Sequence, residues 1–116
     1  MSAVELARWA CGGFFLLALF CGVWKYRKMA TSPDATSPVY VDIAHRAAFM
    51  YSFSCLTMAY FADLSQWSEA WNFAGVAVAV FFFVTAESTY LIHGLLEDTD
   101  NQLRSPHKLG NGELPG

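Results

Sequence analysis

Three stretches of the chain carry no charge: 9–24 (WACGGFFLLALFCGVW), 47–62 (AAFMYSFSCLTMAYFA) and 70–86 (AWNFAGVAVAVFFFVTA). Each can be extended by a few tolerable residues to roughly 20, the length an α-helix needs to cross about 30 Å of hydrocarbon. The pattern predicts three membrane helices, at about 6–24, 43–62 and 71–95, which together form a membrane domain over 1–96. Polar segments separate them. Residues 29–42 contain Thr31-Ser32-Pro33 and then Thr36-Ser37-Pro38, which favour extended or turn backbone and predict a loop along the membrane surface. Residues 97–116 form a polar tail rich in Gly and Pro, and its last ten residues read as disordered.

Composition strengthens this reading. Of 116 residues, 55% are hydrophobic and only 15% are charged, against about 25% charged in soluble domains. With three apolar stretches, too little polar chain remains to cover them as a buried core. The expected fold is all-α, an integral membrane bundle of three transmembrane helices. Trp9 and Trp24 bracket the first span, and Trp67 and Trp71 stand where the third begins, as interfacial aromatic belts do. Lys25, Arg27, Lys28, Arg46, Arg104 and Lys108 fall on one side and only Arg8 on the other. The positive-inside bias puts the amino terminus outside and the tail in the cytoplasm, in a multi-pass protein of the inner (cytoplasmic) membrane. The bases follow the first apolar run as KYRK, which reads as a stop-transfer anchor and not as a cleaved signal peptide.

The second span carries a seam. His45, Ala48, Ser52, Cys55, Ala59 and Ala62 recur at alternating three- and four-residue spacing, and are small apart from the histidine. Such seams let membrane helices approach closely, so Ala48, Ser52, Cys55 and Ala59 are expected at a helix–helix contact. That neighbour is the third span, another copy or another protein. Cys11, Cys21 and Cys55 form neither a metal-ligand pattern nor a disulfide framework.

Polar groups inside spans are costly, and they pair or face the bundle interior. Counting along antiparallel second and third spans brings Asp42, His45 and Arg46 level with Glu87, Tyr90 and His93 in the inner leaflet. Two readings follow. In one, Arg46 and Glu87 form a structural ion pair, with the histidines hydrogen-bonded or facing headgroups. In the other, His45 and His93 bind a haem or transition metal, or Glu87 and His93 relay protons. His107 falls in the tail.

The order AHRAAF at the opening of a span, then DNQL, then KLG resembles small membrane proteins of the styrene oxide isomerase type, over about 43–110. The resemblance implies a helical, oligomeric enzyme whose haem b iron acts as a Lewis acid on an epoxide. It nominates His45 as the iron ligand and Asn101 as a second site residue. That family has four spans, whereas three are read here.

Three functions compete. A three-span chain with small extramembrane parts and no assembled catalytic motif reads first as an accessory or structural subunit of a larger membrane enzyme, of the respiratory or monooxygenase kind. The alternative is a homo-oligomeric haem-b enzyme of isomerase type, and the third is a small transporter component. Each implies the lipid bilayer and other membrane subunits, self or foreign, as partners. Neither a nucleotide-binding loop nor a hydrolase triad is present, and a net charge of −3 argues against nucleic acid.

Overall fold

The computed structural model describes residues 1–114. Three helices, α1 (Ala3–Thr31), α2 (Val39–Leu64) and α3 (Glu69–Leu96), precede an antiparallel hairpin of β1 (His107–Leu109) and β2 (Gly112–Leu114). The three expected spans each lie within one of these helices. Two helices, α1 and α3, are long and apolar enough to cross a membrane. The second falls short of that measure: Asp42, His45 and Arg46 occupy its first two turns, and Ser52, Ser54 and Thr57 its middle.

Local chemistry explains the helix ends. The Ser2 hydroxyl accepts the Glu5 amide at the start of α1, and Ser68 accepts the Trp71 amide at the start of α3, which satisfies donors that a helix leaves open. Pro38, with its preset φ and no amide to satisfy, introduces α2. The loop is shorter than expected, because α1 runs on to Thr31 and α2 already begins at Val39.

The most extensive contact joins α1 and α2. Ala3, Ala7, Phe14, Ala18 and Cys21 make a buried stripe on α1. Opposite, α2 buries Val41, Ala44, Ala48, Ser52, Cys55 and Ala59. Mostly small side chains on both sides allow close backbone approach, and the Ser52 hydroxyl donates to the Cys11 carbonyl at 2.8 Å. The third helix packs more lightly, burying only Val76, Glu87 and Gly94. Gly94 marks its tightest crossing. A Cβ there would lie 2.8 Å from the Trp24 ring and 3.3 Å from the Val41 backbone nitrogen. The outer faces carry exposed Phe20, Phe53, Phe61, Phe81 and Phe82.

The α1–α3 pair is clasped at both ends. The Ala3 amide donates to the Glu69 carboxylate, and Lys28 pairs with Glu97 at 3.3 Å. Beyond α3 the tail departs from expectation. Residues 107–114 form the hairpin in place of disorder, and its Gly110-Asn111 turn places Gly110 at φ 62°, a conformation glycine adopts without steric cost. Residues 115–116 of the expected disordered end lie outside the described residues.

Candidate functional site: a buried carboxyl between three helices

Glu87 reaches the bundle interior because α3 turns one narrow stripe inward, and position 87 falls on it between Val76 and Gly94. It is 2% exposed, and neither carboxyl oxygen has a hydrogen-bond partner among the described residues. Native proteins rarely leave such a group orphaned. The expected ion pair with Arg46 is not formed. Arg46 points outward, 66% exposed, and pairs with Asp42 one turn earlier at 3.0 Å. The physical reason is azimuth: positions 42 and 46 share a face of α2, and the depth that brings Arg46 level with Glu87 does not turn it inward.

What surrounds Glu87 is uncharged. The Cys21 thiol of α1 and the Tyr51 hydroxyl of α2 lie within the field of the carboxyl, and the Tyr51 hydroxyl approaches that of Tyr90 on α3. One turn before Glu87, Phe83 stacks on Tyr51 with ring centroids 4.4 Å apart, and Phe14 meets both rings edge-on. These three aromatics close the site on the side away from the tail. On the tail side the neighbours change character. Tyr90 stacks on Tyr40 at 6.0 Å, and Tyr40 packs on His93 at 5.6 Å. His93 meets Asp98 through Nδ1 at 2.7 Å. A column of polar aromatics therefore leads from Tyr90, one turn beyond Glu87, to the tail.

The tail seals the column's far end. Asp98 accepts the Gly110 amide at 2.7 Å, and the Gln102 amide donates to the Tyr40 hydroxyl at 2.7 Å. Burial works against charge on Asp98, but hydrogen bonds from His93 and the Gly110 amide outweigh it and hold the carboxyl below its ordinary range. At the neighbouring helix ends, the Lys25 ammonium donates to Asp42 at 2.6 Å, which together with Arg46 keeps that carboxyl low.

The two candidate histidine ligands turn to different neighbours. His45 lies against α1, where a Cβ on Gly22 would come 3.2 Å from its Nε2, and its buried Nδ1 has no hydrogen-bond partner among the described residues. His93 faces Tyr40 and Asp98. As packed here, His45 Nε2 faces α1 at Gly22, and His93 Nδ1 is engaged by Asp98. Asn101 sits in the tail and donates no side chain to this site; its Oδ1 accepts the Leu103 amide. His107 lies in β1, its Nδ1 beside the Gln102 carbonyl. Among the described residues, no three His, Cys, Asp or Glu side chains gather closely enough to hold a metal ion.

Ala48, Ser52, Cys55 and Ala59 are all buried, and the Ser52 bond shows that their neighbour is α1. The matching α1 stripe of Ala3, Ala7, Phe14, Ala18 and Cys21 is interrupted by the large Phe14, so it is less readable in the sequence than the one on α2. A second feature is open. A groove of about 540 Å³ runs along α1 between Arg8, Trp9, Gly12, Gly13, Phe15 and Leu16, and a Cβ on Gly12 or Gly13 would meet nothing within 4 Å. Compared with protein-family models, curated proteins and solved structures, the chain matches none.

Proposed function

We propose that this chain is a small structural subunit of a larger membrane assembly. All three helices lie in the bilayer, α2 entering in the company of α1, which covers its polar seam. The base-rich end, with Lys25, Arg27, Lys28, Arg46, Arg104 and Lys108, supports a cytoplasmic tail and an inner-membrane location. The observation that carries the reading is the uncovered Gly12–Gly13 groove. Small residues facing lipid gain nothing from being small, whereas a helix laid into the groove would use them.

The occupant this groove fits is an apolar helix of a different polypeptide, bearing an acid level with Arg8. Arg8 has no acidic partner among the described residues, so it can meet one from outside. A two-fold pairing of identical grooves brings Arg8 towards its own copy, which like-charge repulsion opposes. Purification from native membranes in mild detergent tests the proposal. The particle should exceed the mass of one chain, and Gly12→Leu or Gly13→Leu should release the partner while the chain still inserts. A wild-type chain that remains alone in detergent and in native-lipid discs would overturn it, and a Soret band lost with His45→Ala would favour the haem alternative.

A further inference from the structure

We propose that Glu87 is a proton-exchange site inside the membrane, opened to the tail-side surface and closed to the other. The proposal goes beyond a structural role and assumes only that the bundle lies in the bilayer. A buried carboxyl in hydrocarbon needs a cation, a donor set or a proton. Cations are out of reach: Lys25 is taken by Asp42, Arg46 points outward, and Lys28 pairs with Glu97. Donors are scarce, because neither oxygen has a hydrogen-bond partner among the described residues. Among the described residues, the titratable groups near Glu87 are Cys21 from α1 and Tyr51 from α2, with Tyr90 of its own helix beside Tyr51, and none is a base. A proton is the ligand this pocket can take.

Direction comes from the same neighbours. Phe14, Tyr51 and Phe83 stack into an apolar plug on one side. On the other, Tyr90 stacks on Tyr40, Tyr40 packs on His93, and His93 is hydrogen-bonded to Asp98, a run of polar aromatics toward the tail. In the exchange step the O–H bond of the acid breaks, the proton passes by way of the Tyr90 hydroxyl to water at the tail face, and the carboxylate keeps the electron pair. No electrons leave the molecule, and the reverse step restores the acid.

The test uses the full chain in lipid vesicles, with ¹³C-carboxyl glutamate and infrared detection. One of the five glutamates should show a carboxylic-acid C=O band at neutral pH that is missing from Glu87→Gln. Should that variant fail to insert, Glu87→Asp removes the labelled band and adds an unlabelled one, which gives the same assignment. Transfer to deuterated water should shift the band. Tyr90→Phe, which removes the first hydroxyl on the tail side, should slow the shift about tenfold, equivalent to about 1.4 kcal/mol on the exchange barrier, whereas Tyr60→Phe, on the far side of the plug, should leave it unchanged. A wild-type spectrum without the Glu87 acid band would overturn the site. A band that exchanges at the wild-type rate in Tyr90→Phe would overturn the route.

Discussion

Asp98 shows how one residue can decide whether the tail stays attached. It joins the last turn of α3, through His93, to the hairpin turn, through the Gly110 amide. Its carboxyl sits below the ordinary value of about 3.9, so the stabilisation is fully present above that value and is lost as pH falls through the depressed one. Acidification should therefore free the hairpin while leaving the helices intact, and Asp98→Asn should do so at neutral pH. Hydrogen exchange at Gly110 reads this directly, and unchanged protection in Asp98→Asn would refute it. The spacing of residues could not show this link. The Gly110-Asn111 turn signal was present, but a Gly- and Pro-rich tail reads as disorder when the groups that anchor it lie elsewhere in the chain. Glu87 was legible as a costly acid. Its partner was not, because rotation about two helix axes decides which side chains meet.

Among the elements, α2 is the one that holds the others together. Its seam at Ala48, Ser52, Cys55 and Ala59 could be read from three- and four-residue spacing alone, since close packing needs small residues whatever the neighbour. The neighbour's identity could not, and it is α1. Ala48→Leu should force α1 away and destabilise the bundle by about 1–3 kcal/mol, as overpacking does, while Phe53→Leu on the exposed face should be tolerated. At the α3 crossing, Gly94→Leu should cost at least as much, because the Val41 backbone cannot yield as the Trp24 ring can. Thermal unfolding in detergent with matched mass measurement checks both. Ala48→Leu at wild-type stability would mean that the seam does not set the helix distance.

For the whole molecule, the distribution of charge and the two clasps between α1 and α3 set the arrangement. A reporter fused beyond the hairpin should be active only in the cytoplasm, and activity outside would reverse the proposed orientation. The Ala3–Glu69 bond has a consequence for how the protein is made. Its two partners stand 66 positions apart, so when α1 leaves the ribosome the Ala3 amide lacks its Glu69 partner until the start of α3 is made. Synthesis proceeds at about 5–20 residues per second, so the first helix waits several seconds for its clasp. With the bundle in the bilayer as proposed, during that wait the small-residue face of α1 is bare to lipid or to the insertion machinery, and α2, too polar to be comfortable alone, is the first segment able to cover it. A pause in translation between α2 and α3 should therefore leave a two-helix intermediate whose α1 amino end is loose, and site-specific crosslinking from position 3 during stalled synthesis should catch it in contact with lipid before Glu69 arrives.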